Sequence, residues 1–338
     1  MFGKWMNNYY YGKSGKGDYT KEDLPTTRWQ LFWEMLRVRL ANLFRLNLMT
    51  VAAWLPLLIL LFYTITTTLN GVAVTAQYSE YLSTGEMGEL TEEQIAALGK
   101  MGDMDAAAGA LVQQQIMSLC LWAIPCLAIL GPVKAGVAYV TRNWSRDEHA
   151  FIWSDFKDAV KENWKQALGV SLISSLLPVI VYVGYRFYGQ QSASNVIFVV
   201  PQMLLVVLAA VWALGCTFMY PMMVTYKVTF GQLIKNSLVL AVGRLPQTVG
   251  IRLILLVPAA IGFGAFWFTG SVLAILILGM YYALVGYALS RFVIASYTNA
   301  VFDRFINSKM EGVQVNRGLQ KAEDDEDDEI EEKTPEQE

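Results

Sequence analysis

Apolar positions along this chain come in long blocks and do not alternate with polar ones. Five stretches are free of charge: Leu48–Leu69, Ala106–Val133, Gln166–Tyr185, Gly189–Tyr226 and Leu253–Ser290. A helix that crosses about 30 Å of hydrocarbon needs about 20 mostly apolar residues, because each adds about 1.5 Å. The last stretch runs 38 residues, too long for one ordinary span. Thr269-Gly270-Ser271 near its middle reads as a tight turn and divides it. The pattern predicts an all-α fold, a polytopic membrane helix bundle of about six transmembrane helices. They fall near residues 48–69, 112–134, 166–187, 196–222, 249–268 and 272–295. Amphipathic interfacial helices on the cytoplasmic side accompany them.

The polar remainder organises the rest of the chain. Residues 1–25 read as a flexible polar N-terminus and 26–47 as an amphipathic interfacial helix. Residues 48–310 form the six-span domain, with an outside loop at 70–111, and 311–338 read as an acidic disordered tail. Gly12-Lys13-Ser14 does not complete a phosphate loop, since position 7 holds Asn7 where that motif needs glycine. In the interfacial segment Thr26 or Thr27 starts a helix. Leu31, Met35, Leu36, Leu40, Leu43 and Phe44 recur at helical spacing, and Trp29 and Trp33 supply interface anchors. The segment lies on the cytoplasmic leaflet or packs as an ordinary helix on the bundle. Thr91–Gln94 and Thr229–Gln232 carry capping-box patterns.

Composition agrees with the membrane reading. Hydrophobic residues make up 54% of the chain and charged ones 16%, against about 25% in a typical soluble domain. The charges are also segregated. Residues 1–320 hold 24 Lys and Arg against 18 Asp and Glu, whereas residues 321–338 hold 2 against 11. Cytoplasmic loops collect Lys and Arg. With both termini inside, the inner segments hold 24 of the 26 basic residues, and only Lys100 and Arg186 fall outside. The first apolar run starts too far in, and is too long, for a cleaved signal. The expected location is the bacterial cytoplasmic membrane, with N and C termini cytoplasmic.

Candidate chemistry is sparse. None of the six spans contains Asp or Glu, which argues against a proton relay through the bilayer. Lys134 lies at the cytoplasmic end of the second span, where it can snorkel to headgroups, and Arg186 and Arg252 read the same way. Cys120, Cys126 and Cys216 sit in apolar blocks without metal or redox spacing, and His149 is the only histidine. No nucleophile elbow, zinc-binding His-Glu-x-x-His or buried carboxylate pair is present. The chain therefore reads as no enzyme, with no cofactor, no metal and no nucleic acid partner. The most distinctive loop is 141–165. Ser154 is placed to cap a helix that opens with Asp155 and Asp158. Phe156, Val160 and Trp164 make an apolar stripe beside a basic one of Lys157, Lys161 and Lys165. Lys134, Trp153, Asp155, Phe156, Lys157, Lys161, Trp164 and Lys165 are thus the candidate interaction residues.

The start Met1-Phe2-Gly3, Gly131-Pro132, Ala138-Tyr139-Val140-Thr141-Arg142-Asn143, Trp153-Ser154-Asp155-Phe156 and Lys161–Gln166 resemble the YesL-like family of bacterial integral membrane proteins of unknown function. The resemblance covers roughly 27–310 and is most specific over 131–166. It implies a place beside carbohydrate uptake, since members often sit beside sugar ABC transporter genes. The reading that follows is a non-enzymatic accessory or scaffold protein. Its partners are the lipid bilayer and another membrane protein such as a sugar ABC transporter. The alternative is a small-solute transporter or permease subunit.

Overall fold

The computed structural model describes residues 25–100 and 103–319. The Tyr/Lys-rich N-terminus, the Gly12-Lys13-Ser14 motif and the acidic run from Glu323 lie outside them. Every regular element among the described residues is helical: α1 Arg28–Thr84, α2 Glu92–Leu98, α3 Met104–Trp144, α4 Ser154–Ser192, α5 Val199–Met223, α6 Phe230–Gly243, α7 Leu245–Thr269, α8 Val272–Tyr281 and α9 Tyr287–Phe305. Six helices are long and apolar enough to cross a membrane: α1, α3, α4, α5, α7 and the continuous α8–α9. The protein is a multi-pass helical membrane protein.

The helices are longer than hydropathy suggests. The expected interfacial helix over 26–47 runs without a break into the first span, so α1 has 57 residues and a length of about 85 Å. Hydropathy changes near residue 48, but no helix breaker stands there. The 154–165 helix likewise continues into the third span as α4. The Thr27–Gln30, Thr91–Gln94 and Thr229–Gln232 capping boxes all form. Ser154 does not cap. It is already inside the helix, and Asp155 instead accepts the Phe151 N–H at 2.9 Å. Gly270 closes α7 in the left-handed conformation (φ 63°), which produces the turn between the last two spans.

The packed core sits at one end of the bundle. The start of α1, the ends of α3, α5 and α9, the start of α4 and all of α6 meet there. One cluster joins Ala135, Ala167, Phe218, Met222, Leu233 and Phe302, and a second joins Leu31, Leu43, Leu46, Val140, Trp144 and Phe292. Away from this end the spans bury little against each other. The most hydropathic window of α7 buries none of its residues inside the protein, as suits helices whose solvent is lipid. Residues 311–319, expected as the start of a loose tail, fold back across the packed end. Asn316 accepts from Arg28, Arg317 pairs with Glu148, and Leu319 joins the second cluster.

Two local devices hold the helices close. Gly131 and Gly136 of α3 face α4: a Cβ on Gly131 would collide with Ala167 O and Ser171, and one on Gly136 would lie 2.6 Å from the Phe156 ring. The close approach lets Ser171 Oγ donate to Ala128 O at 2.7 Å across the helices. Between α8 and α9 the chain makes one π turn, Tyr282–Gly286. Such a turn frees backbone groups from the α pattern. The side chain of Asn47, 1% exposed, meets them. Its Nδ2 donates to Tyr282 O (2.9 Å) and Ala283 O (2.7 Å), and its Oδ1 accepts from Ala288 N (2.8 Å).

Candidate functional site

The residues expected to form an interaction edge divide between two directions. Phe156 and Val160 pack beneath Gly136. Trp153 and Trp164 point outward, 65% and 47% exposed, and Lys165 lies over the Trp164 ring at 5.7 Å. Lys157 and Lys161 are exposed, and Asp155 is taken up by its bond to Phe151. These residues form the outer edge of a packed helix without converging on one point.

Lys134 belongs to a different grouping. Its ammonium lies 5.9 Å above the ring of Tyr220, a residue only 4% exposed on α5. From Lys134, α3 runs ten more residues to Trp144, about 15 Å, so the lysine is not at the end of its helix. Arg252 of α7 also turns inward, donating from Nε to Thr217 Oγ1 at 2.8 Å and from Nη2 to Ala213 O at 2.9 Å. Arg291 of α9 lies over the Tyr287 ring at 5.2 Å. The charges of Lys134, Arg252 and Arg291 act on one another, and the other ionisable groups beside them are Cys216, Tyr220 and Tyr287. Lys134 thus packs on the Tyr220 ring and Arg252 is held by Thr217 and Ala213.

Around these cations, hydrogen-bond donors are left without acceptors. Tyr220 Oη, Tyr287 Oη, Arg291 Nε and Trp54 Nε1 are all buried and have no partner among the described residues. Trp54 and Tyr287 stack edge to face at 5.3 Å, and the Arg291 charge and the Tyr287 hydroxyl both act on Tyr220. An indole or guanidinium N–H can only donate. Three positive charges lie beside these four unpaired atoms and, among the described residues, no carboxylate joins them, so the site is short of acceptors. An anion supplies one.

Sequence comparison adds one finding over this region. Residues 116–185 match the family model described as a protein of unknown function, DUF624. This is the YesL-like resemblance read from the chain, and it holds over that segment. The segment carries Lys134, Gly131, Gly136 and the whole 153–165 helix start, whereas Tyr220, Arg252, Tyr287 and Arg291 lie beyond it. No curated protein and no solved structure matches the chain.

Sequence reasoning found Lys134 and Arg252 but assigned them to the membrane surface. Arg291 entered only as one basic residue in the charge bias, and Tyr220, Tyr287 and Trp54 carried no signal of their own. The usable clue was joint: three cations at the same end of three spans, in a chain whose spans hold no acid. Among the described residues no group of histidine, cysteine or acidic side chains is placed to hold a metal.

Proposed function

We propose that this protein is a non-enzymatic accessory protein of the bacterial cytoplasmic membrane that binds the anionic headgroup of a lipid at the Lys134–Arg252–Arg291 cluster. One observation carries the reading: inward-turned cations share a layer with unpaired Tyr220, Tyr287, Trp54 and Arg291 donors and with no carboxylate. A charge taken out of water without a partner costs several kcal/mol. Three such groups without counter-charge are hard to account for by stability and simple to account for by an oxyanion. Lys134, Arg252 and Arg291 each adjoin the end of a charge-free stretch, at Val133, Leu253 and Ser290, within reach of lipid phosphates in this reading.

The basic end faces the cytoplasm in this reading, supported by the 24 of 26 Lys and Arg residues on that side. The accessory role is supported by the placement of two cavities, both at the packed end and lined by residues outside the spans expected from the sequence. The lipid-facing length of α7, which buries nothing inside the protein, offers a surface to a neighbouring membrane protein. The family resemblance implies a sugar transporter as that neighbour.

The test is thermal unfolding in nanodiscs of phosphatidylcholine with and without phosphatidylglycerol. Anionic lipid should raise the midpoint of the wild type and leave that of Lys134→Met unchanged. In the absence of anionic lipid, Lys134→Met should be at least as stable as wild type, because a half-buried charge without an ion-pair partner among the described residues has been removed. Loss of stability on that substitution with the lipid response intact would refute the assignment. A response to soluble anions alone would transfer support to a permease.

A further inference from the structure

A second group of cations lies beyond the spans, at the packed end, and encloses real volume. A cavity of about 510 Å³ is lined by Arg142, Arg146, Arg317, Tyr226, Asn307 and Gln314 among others. Its size is in the range of small-ligand pockets. Arg142 ends α3 and Arg146 follows one turn later, so the two share a face. Arg317 arrives from the opposite side, where the chain folds back after α9, and is fixed there by Glu148 and by donation from its Nε to Gln314 Oε1 at 2.9 Å.

The balance of charge in this cavity is uneven. Among the described residues, Glu148 is the only carboxylate paired with its arginines. It is shared between Arg317 and Arg146, whose Nε stands 3.6 Å away. Asp303, beside the cavity's Asn307, is held by Arg28 at 2.6 Å and accepts from Asn307. Among the described residues, two positive charges therefore have no carboxylate of their own. The Arg146 side chain is 8% exposed, yet its buried Nε makes no hydrogen bond, and neither does Arg142 Nε. Burial, and then the neighbouring Arg146, push the Arg142 guanidinium down from its usual range. Tyr226 Oη is committed to Asn307 Oδ1 at 2.6 Å, which fixes the wall.

We infer that this cavity is a binding site for the phosphate group of a small soluble molecule, gripped by Arg142 and Arg146 and closed by Arg317. Guanidinium groups match the geometry of phosphate oxygens, and their planar forks give paired bonds to it. The walls beyond the arginines are mixed: Met310, Gly312 and Val313 are apolar or small, and Gln314 brings an amide whose oxygen is held by Arg317. The non-phosphate part of the ligand is thus small and partly polar. This site is separate from the lipid-facing cluster and uses none of its residues.

The experiment uses the full chain in neutral detergent and inorganic phosphate as the probe, read by isothermal titration. Binding should be saturable and at least tenfold weaker in Arg146→Gln and in Val313→Glu. Val313, 37% exposed, lines the cavity without an ion pair, so its substitution adds a repelling charge without removing a structural contact. Ala97→Glu, the same charge change on exposed α2, should bind as wild type. Equal binding by wild type and Val313→Glu, or none by wild type, overturns the proposal. A parallel titration with phosphatidylglycerol vesicles distinguishes the source. Weakening of vesicle binding by Val313→Glu, with no binding of free phosphate, would assign the pocket to a lipid headgroup and overturn the soluble ligand.

Discussion

Replacing Asn47 with alanine tests how the π turn between α8 and α9 is sustained. The side chain makes three hydrogen bonds, all with backbone groups of the Tyr282–Ala288 segment and all between 2.7 and 2.9 Å. A buried hydrogen bond contributes about 0.5–1.5 kcal/mol net, and pairs inside membrane proteins average about 0.6 kcal/mol. Three bonds then amount to about 2–4 kcal/mol, with further loss wherever a carbonyl is left without a donor. The assay is reversible unfolding in mixed micelles of neutral detergent and dodecyl sulfate, followed by helical circular dichroism. Asn47→Ala should lose about 2–4 kcal/mol. Asn47→Asp keeps an acceptor for the Ala288 N–H but places a carboxylate against two carbonyl oxygens, so it should lose more than alanine at neutral pH and recover on acidification. A loss below about 0.5 kcal/mol for alanine would show that the turn does not depend on Asn47.

Two other outcomes are expected. Burial, and then the Asp303 charge, raise the Tyr226 hydroxyl to about 12; its folded value therefore exceeds the ordinary value of about 10. The folded state keeps this proton longer than the unfolded chain, so stability should fall as pH rises through that window. The fall should be shallower in Tyr226→Phe, and identical slopes would contradict it. Single cysteines at exposed Lys157 and exposed Glu93, in a background without Cys120, Cys126 and Cys216, should react with an impermeant maleimide only from the cytoplasmic and only from the outer face, respectively; the reverse would invert the proposed orientation.

What could be read from the chain was local. Span positions depend on runs of apolar residues, and the caps at Thr27, Thr91 and Thr229 depend on two residues three apart, so both are visible in one dimension. The Thr269-Gly270-Ser271 turn is legible for the same reason, since it needs a left-handed residue and has a glycine there. The join of the 26–47 segment to the first span was hidden because polarity changes at residue 48 while helix propensity does not. Ser154 misled because the helix starts one residue earlier than a Ser154 cap requires: the Lys157 N–H bonds Trp153 O, and the Ser154 hydroxyl donates to Asp155.

The sites were illegible for a different reason. Lys134, Arg252 and Arg291 come from three helices, and a position near a span end is equally compatible with lipid-facing and inward rotamers. Only the Tyr220 ring beneath Lys134, and the Thr217 and Ala213 acceptors before Arg252, decide the direction. The phosphate pocket depends on Arg317 folding back over α3, from a stretch whose acidic continuation suggests a tail with no contacts.

The most direct test of the central claim is native mass spectrometry of the protein released from phosphatidylglycerol-containing membranes. The wild type should carry an anionic-lipid adduct that Lys134→Met removes and Val313→Glu retains. An adduct that survives Lys134→Met, or wild-type protein that carries only zwitterionic lipid, would contradict the assignment of the buried cations to a lipid headgroup.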